Sequence, residues 1–298
     1  MLILDEKKYA ENLYNCQNND VKGARKKIEY ITRYLLHSKK YDDYSNYTAT
    51  MHWMSKNSGI FEESSYSKMV SDAIKMAQKR PFFKLDCIKI TQKELENIKN
   101  LENLRAEKVI FVLLCMAKQQ KVAYGFTDGL VKYEIAQLCK EARISVPSDD
   151  REYILYHLVQ NGLLSYPKKN DSKCLIVNFI DEDGESVLNL DENKCQELVY
   201  EYLYWRNNGN GYAECELCNR MMKQSRSNPK RFCKECSEKV GDVPDNMKAL
   251  QCIEQNCDVI FYVDKRNMTK CRCDECQSIR DMETKSTRNA RYYKSHKN

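Results

Sequence analysis

Eight cysteines in the last third of the chain fall into close pairs, and their spacing limits the possible folds more than any other feature. Cys215 and Cys218 are separated by two residues, as are Cys233 and Cys236, and fourteen residues lie between the two pairs. A Cys-x-x-Cys turn brings two sulfurs to one side of a metal ion, and a second such turn completes a tetrahedron. The first set therefore predicts a four-cysteine zinc site.

A second set of cysteines follows the first. It consists of Cys252 and Cys257, with four residues between them, and then Cys273 and Cys276. Cys271 is a spare thiol that can replace Cys273 as a ligand, so the sequence leaves this position open. With four thiolates around each metal, no position remains for a water molecule or a substrate. The chain is therefore expected to hold two zinc ions with a structural role.

The two sets are also an internal repeat. Three cysteines of the first set recur in the second at offsets of 39 or 40 residues, and residues 231–236 parallel residues 271–276. Duplication of one supersecondary unit is the simplest interpretation of such a repeat. We predict a first zinc ribbon at 212–240 and a second at 248–279.

The remaining composition indicates an intracellular protein. The chain has 298 residues and an odd number of cysteines, fifteen, which does not suit a disulfide framework. No apolar run reaches the roughly 18 residues that cross a bilayer, and the first residues lack the apolar core of a secretory signal. Six cysteines outside the pairs lie mostly in apolar sequence, and we interpret them as small buried hydrophobic residues.

The first two thirds of the chain predict a mainly α fold with small β elements. Residues 1–100 read as a helical N-terminal region, because apolar residues recur at helical spacing in 22–36 and 64–76. The Asn- and Gly-rich run 207–211 has the composition of a flexible hinge and is placed as the main domain boundary.

Residues 101–207 predict a winged-helix-like domain followed by one more helix. Three helical segments, 106–117, 133–142 and 149–161, precede two extended runs, 163–166 and 174–180.

The third helix of this domain does not suit DNA reading, because it opens with Asp149, Asp150 and Glu152 against a single Arg151. A helix that enters a groove lined with phosphates normally presents cations or amides at its start. Only Lys168 and Lys169 in the wing have the required sign. Protein contact or a scaffolding role is the favoured interpretation of this helix.

Positive charge is concentrated in the C-terminal third. Residues 211–298 hold 18 Lys and Arg against 13 Asp and Glu, whereas residues 1–210 hold 31 against 30. Two zinc ions with eight thiolates carry a formal charge of about −4, so some of these cations are expected to balance their own clusters. The segment 280–298 is predicted to be a basic tail, with a solvated tail as the alternative. The candidate nucleic-acid contacts are Lys285, Arg288, Arg291, Lys294, Lys297, Arg226, Lys230 and Arg231.

The order of these parts resembles a group of phage- and prophage-encoded proteins of Gram-positive anaerobes. The resemblance is carried by the start Met1-Leu2-Ile3-Leu4, a helical first half, paired zinc ribbons and the ending Cys271 to Cys276 before a basic tail. The chain differs from that pattern in the four-residue gap between Cys252 and Cys257. The group has no agreed activity, so the resemblance implies only an origin in a mobile element and a location in bacterial cytoplasm.

Three functions are consistent with the sequence. The leading hypothesis is a non-enzymatic nucleic-acid-binding accessory or regulatory protein, which contacts the DNA or RNA backbone through its zinc ribbons and basic tail. The alternative is a protein-binding inhibitor or adaptor directed at a host defence or transcription complex. An enzyme is third, because the sequence contains no His-Asn-His grouping near the ribbons, no phosphate-binding Gly-rich loop and no Glu paired with His in a metal motif. Nothing indicates a membrane partner or a small-molecule substrate.

Overall fold

The computed structural model of the protein describes residues 2–16, 24–57, 62–126, 129–168, 174–227, 229–241, 244, 246–254, 257–267 and 269–295, with backbone alone at 148, 149 and 286–295. About half of the described residues are helical, and the sheets are small, with two or three strands each. A mainly α fold with small β elements is therefore confirmed. The chain divides into two compact units, Met1–Tyr202 and Leu203–Asn298.

Four helices open the first unit and form a core of their own. They pack through buried apolar side chains such as Ile28, Ile31, Leu35 and Met54. These residues lie three, four or more positions apart on their helices, which is the spacing of a buried helical stripe. The four helices are α1 (Glu6–Asn15), α2 (Ala24–His37), α3 (Asp43–Asn57) and α4 (Glu63–Ala77).

A buried ion network ties the start of the chain to these helices. The Glu6 side chain is 1% exposed and accepts hydrogen bonds from Arg33 at 2.6 Å and Arg80 at 3.1 Å. The Arg33 guanidinium also lies over the rings of Tyr30 and Phe82, at 4.9 and 5.0 Å from their centroids. A buried carboxylate requires such partners, because an unpaired charge in the interior is strongly destabilising.

A short strand and two helices continue the first unit: β1 (Ile88–Thr91), α5 (Gln92–Lys99) and α6 (Leu104–Tyr124). Thr91 and Glu94 form a reciprocal capping box at the start of α5. The Asn103 side chain caps α6, and Gly125, with a φ of 65°, ends it. Eleven of the 21 residues in α6 are buried, so this helix is surrounded by other elements of the unit.

After α6 the chain alternates short strands and helices. The elements are β2 (Leu130–Lys132), α7 (Ile135–Glu141), α8 (Ser148–Gln160), β3 (Leu164–Ser165) and β4 (Cys174–Val177). The three strands form one antiparallel sheet in the order β2-β4-β3, in which Val131 pairs with Leu175 and Leu164 with Val177. The sequence did not predict β2, which has three residues and is too short for an alternating pattern.

The first unit closes with a strand that returns to β1. β5 (Ser186–Leu190) pairs antiparallel with β1, with Ile88 opposite Leu190. A short 3₁₀ turn at Lys194–Glu197 then leads into α9 (Leu198–Arg206), where Tyr202 is fully buried. The segment 207–211 follows as a hydrogen-bonded turn in which Gly209 and Gly211 have positive φ, a conformation that glycine adopts without strain.

The second unit contains two successive copies of one arrangement, a β-hairpin followed by a helix. We call them the first cysteine module (212–240) and the second cysteine module (247–276). The elements are β6 (Tyr212–Glu214), β7 (Met221–Lys223), α10 (Lys234–Val240), β8 (Met247–Gln251), β9 (Ile260–Asp264) and α11 (Asp274–Ser295). Helix α11 runs without a break through position 279, where the second ribbon was expected to end.

No helix in the described part of the chain has both the length and the apolar character needed to span a bilayer.

Candidate metal centres

The four cysteines of the first set converge on one point of the first cysteine module. Their sulfur atoms all lie within 4.8 Å of one another, and the Sγ atoms of Cys218 and Cys233 are 3.8 Å apart. Cys215 and Cys236 are buried, whereas the other two are half-buried. The structure thus brings together the four residues that the spacing selects.

The local chain geometry places these sulfurs. Cys215 and Cys218 lie in the connection between β6 and β7, where the Cys215 N–H donates to the Arg220 carbonyl at 2.9 Å. Asn219 turns the chain back with a φ of 58°, a left-handed conformation that asparagine tolerates better than most residues. Cys233 is the N-cap of α10, and Cys236 lies in the first turn of that helix. The positive end of a helix favours thiolates at this position.

The second set has the same arrangement. Cys252 and Cys257 lie in the connection between β8 and β9, while Cys273 and Cys276 lie at the start of α11. Their sulfurs also fall within 4.8 Å of one another, and the Cys257 and Cys273 Sγ atoms are 3.8 Å apart. Cys271 is outside this group of four. In both modules the second cysteine pair lies on the first turn of a helix, whereas the sequence suggested a second Cys-x-x-Cys turn.

The dimensions of both groups fit a tetrahedral metal ion. Four sulfurs at zinc–sulfur distances of about 2.3 Å are about 3.8 Å from one another. One sulfur pair in each module has this separation, and the other sulfurs of each group lie within 4.8 Å. Disulfides do not account for the grouping, because all eight thiols are free. Each group can therefore hold one metal ion with four cysteine ligands.

The thiols within each group differ in how readily they ionise. Burial opposes ionisation of Cys218, but hydrogen bonds from Arg220 outweigh it and lower the pKa of this thiol to about 7. In the second group, hydrogen bonds from the backbone of Glu254 and Cys273 lower the pKa of Cys252 to about 7. The pKa of Cys236 is raised instead, by burial and by hydrogen bonds with its neighbouring sulfurs. Four adjacent thiolates repel one another, and a bound cation removes that obstacle.

One arginine accompanies each cysteine group. Arg220 donates to the Cys218 sulfur at 3.3 Å and to the Cys233 sulfur at 3.7 Å, and it pairs with Glu235. Arg272 pairs with Glu254 and donates to the Cys271 sulfur at 3.6 Å. Charge balance of this kind was expected from the sequence, but Arg220 was not among the predicted residues. Its position two residues after Cys218 was the available signal.

Arg231, which the sequence analysis placed among the nucleic-acid contacts, joins the two modules. Its guanidinium forms a two-point ion pair with Glu216, at 2.9 and 2.7 Å, and donates to the carbonyls of Pro244 and Met247. The Tyr262 hydroxyl also donates to the Val240 carbonyl across the same boundary. Because these internal acceptors engage the guanidinium, Arg231 serves the structure of the second unit.

We expect the substitution Arg231→Lys to loosen the connection between the modules while both metal sites persist. An ammonium group lacks the planar fork that engages Glu216 at two points while reaching two carbonyls. Amide hydrogen exchange of residues 246–251 should become faster, because the free energy of local opening should fall by about 1–3 kcal/mol. Lys230→Gln, one position away and exposed, is the matched control and should leave this exchange unchanged. If Arg231→Lys leaves amide exchange unaltered but weakens nucleic-acid binding, Arg231 contacts nucleic acid instead of joining the modules.

The other predicted nucleic-acid contacts differ in how much of each residue the structure describes. Arg226, Lys230 and Lys285 are exposed. Arg288, Arg291 and Lys294 lie in the part of α11 for which the backbone alone is described. Lys297 lies outside the described residues.

A side chain closes the loop that carries Arg226 and Lys230. The Gln224 amide donates to the Lys230 carbonyl at 2.6 Å and accepts from the Lys230 N–H at 2.8 Å. The Gln224 N–H in turn donates to the Gly211 carbonyl at 2.8 Å. This bonding holds the ends of the loop together and leaves both cationic side chains in solvent.

Comparisons of the chain with models of protein families, with curated proteins and with solved structures find no significant match.

Proposed function

We propose that each four-cysteine group holds one zinc ion with a structural role, and that the two cysteine modules are zinc ribbons. The support is the tetrahedral spacing of the sulfurs and the all-thiolate ligand set, which zinc favours. The first module has a small hydrophobic core in which two of the three buried members, Cys215 and Cys236, are cysteines. A core of this size folds stably only with help from a metal or a cross-link.

We further propose that the protein is a non-enzymatic nucleic-acid-binding accessory or regulatory protein, which contacts the phosphate backbone through the second unit. The observation that carries this proposal is the exposure of Arg226 and Lys230 on a loop that Gln224 closes. Lys285 adds an exposed cation on α11, and three more basic residues follow along the same helix. Cations that internal partners do not engage supply affinity for DNA or RNA without reading its sequence.

The proposal is tested by salt-dependent binding of the full chain to duplex DNA and to single-stranded RNA. We expect Arg226→Gln/Lys230→Gln and Lys285→Gln/Arg288→Gln each to reduce the slope of log affinity against log salt by about two, roughly one per lost phosphate contact. Lys265→Gln/Arg266→Gln removes two exposed cations from the turn after β9 and is the matched control. Absence of binding at low salt, or equal slopes in all three variants, would contradict the proposal.

The middle of the first unit is proposed to be winged-helix-like. Its elements follow the order helix, strand, helix, helix, strand, strand, from α6 to β4, and the sheet order β2-β4-β3 agrees with that topology. The resemblance of the sequence to phage and prophage proteins supports an origin in a mobile element and a role in the cytoplasm of a bacterial host.

A second candidate function is that of a protein-binding inhibitor or adaptor directed at a host defence or transcription complex. It is favoured by α8, because the helix that would read DNA in a winged helix exposes Asp150 and Glu152 near its start. Phosphates repel such a surface, whereas a protein partner can carry the complementary charge.

A further inference from the structure

Helix α8 presents an aromatic outer face. Its inner face is formed by Ile154, Leu155 and Leu158, which are 8%, 5% and 0% exposed. On the outer face, Tyr153 is 69% exposed and Tyr156 is 56% exposed. These two tyrosines are three positions apart, so their side chains are neighbours on the helix surface. Rings of this size in solvent are typical of a binding surface, because burial of an aromatic side chain contributes much of the affinity at interfaces.

Two carboxylates lie three or four positions before the tyrosines on the same helix. Asp150 and Glu152 are exposed on the first turns of α8. The only arginine or lysine in this helix is Arg151, whose guanidinium nitrogen Nε donates to the Val146 carbonyl at 3.3 Å. The outer face of α8 is thus aromatic and acidic.

Strand β3 packs against α8. Tyr166, which follows β3, is 60% exposed. Burial raises the pKa of Tyr133, which lies two residues before α7, and the nearby Tyr166 and Glu152 add to this increase. We call the surface formed by Asp150, Glu152, Tyr153, Tyr156 and Tyr166 the tyrosine–carboxylate face.

Elsewhere in the same unit, a tyrosine ring and a carboxylate together hold an arginine side chain. Arg143 lies over the Tyr200 ring, 4.4 Å from its centroid, and pairs with Glu197. Arg33 likewise stacks on Tyr30 while it pairs with Glu6. In both places a guanidinium is held between a tyrosine ring and a carboxylate, an arrangement that combines cation–π attraction with a charged hydrogen bond.

We propose that the tyrosine–carboxylate face docks an arginine-rich segment of a partner protein. The inference specifies the partner of the second candidate function and rests on it, and it is independent of nucleic-acid binding by the second unit. Charge complementarity argues for this occupant, because the exposed charged side chains at the start of α8 are the carboxylates of Asp150 and Glu152, and a guanidinium carries the opposite charge.

The test uses the full chain, freed of nucleic acid by nuclease treatment and a high-salt wash. The probe is a short fluorescein-labelled peptide of alternating arginine and serine, followed by fluorescence anisotropy. Two analogues replace every arginine with lysine or with neutral citrulline. The variants are Tyr153→Ala/Tyr156→Ala and Asp150→Asn/Glu152→Gln. The matched control is Tyr41→Ala/Tyr44→Ala, which removes two exposed tyrosines from the start of α3 and the residues before it.

We expect micromolar binding of the arginine peptide, weaker binding of the lysine peptide and none of the citrulline peptide. Each variant of the face should lose about tenfold or more in affinity, as for aromatic and charged residues at the centre of an interface, while the control keeps its affinity. Either of two results overturns the proposal: no binding of the arginine peptide, or equal binding by all variants. If the face variants keep their affinity for the peptide but lose nucleic-acid binding, the face binds nucleic acid instead. If they lose self-association instead, the face binds a second copy of the chain.

Separate variants distinguish this inference from the nucleic-acid proposal. Substitutions of Arg226 and Lys230 should alter salt-dependent nucleic-acid binding and leave the peptide affinity unchanged. Substitutions on the tyrosine–carboxylate face should do the opposite. Failure in one assay therefore leaves the other conclusion standing.

Discussion

Replacement of Cys236 with serine is expected to reduce the bound metal from two ions per chain to one and to unfold the first cysteine module. Cys236 is buried at the start of α10 and completes the first group of four sulfurs. Binding of structural zinc to small domains contributes on the order of 10 kcal/mol or more, and that free energy is coupled to folding. Native mass spectrometry should show the loss of one ion, and hydrogen exchange should show loss of protection across 212–240.

Cys271→Ser is the matched control for this experiment. Cys271 is a half-buried thiol within the second cysteine module, but it lies outside both groups of four sulfurs. We expect this variant to keep both ions and normal protection. If Cys271→Ser loses an ion while Cys273→Ser retains it, the assignment of ligands in the second module is wrong. Retention of two ions by Cys236→Ser would contradict the first site.

The substitution Glu6→Gln is expected to destabilise the first unit by about 3–5 kcal/mol, because it leaves the buried Arg33 without its carboxylate. A loss of stability of this size should lower the melting temperature of a unit of this length by about 10 °C. Thermal unfolding and hydrogen exchange of α1 and α2 measure the effect without interference from the metal sites. Exchange in the second unit should stay unchanged.

Glu182→Gln provides the comparison. It also removes a carboxylate from an ion pair, but the pair with Lys121 is about half exposed on both sides and should contribute less than about 1 kcal/mol. The double variant Glu6→Leu/Arg33→Met should recover most of the stability, since it removes both charges of the buried pair and leaves only Arg80, which is 30% exposed, without its carboxylate. Equal stability of Glu6→Gln and Glu182→Gln would show that the buried network contributes little.

The cysteine groups could be predicted from the sequence because a metal site constrains local spacing. The two cysteines of each pair have only two or four residues between them, so their sulfur atoms stay close together whatever the rest of the fold. The internal repeat could be predicted because residues 231–236 resemble residues 271–276 in sequence. Both modules place their second cysteine pair at the start of a helix. The choice between Cys271 and Cys273 was left open, because both can reach one point and only the three-dimensional path of the chain separates them.

Contacts between distant segments could not be predicted in this way. The guanidinium of Arg231 bonds to Glu216 and to carbonyls at 244 and 247, and nothing in the local sequence indicates these partners. Strand β1 pairs with β5 across about a hundred residues, and neither strand exceeds five residues. Short strands contain too few positions to show alternation, and side-chain pairs formed through tertiary structure have no sequence period. An exposed arginine and a buried one therefore look alike until the fold is known.

The charge of the second unit illustrates the consequence. The sequence shows a surplus of cations there, but Arg220, Arg231 and Arg272 are engaged by cysteine sulfurs, carboxylates or carbonyls. The cations left for a polyanion are those in solvent, such as Arg226 and Lys230. The proposed nucleic-acid surface is therefore smaller than the net charge of the second unit suggests, and it is confined to the cations in solvent.

We propose that the second unit is built on two tetrahedral four-thiolate zinc sites. Metal analysis of the reduced full chain, made without added metal, combined with zinc-edge X-ray absorption, can test this proposal. We expect two zinc ions per chain, each with four sulfur neighbours at about 2.3 Å. Fewer than two metal ions per chain, iron in place of zinc, or nitrogen and oxygen neighbours around the metal would contradict it.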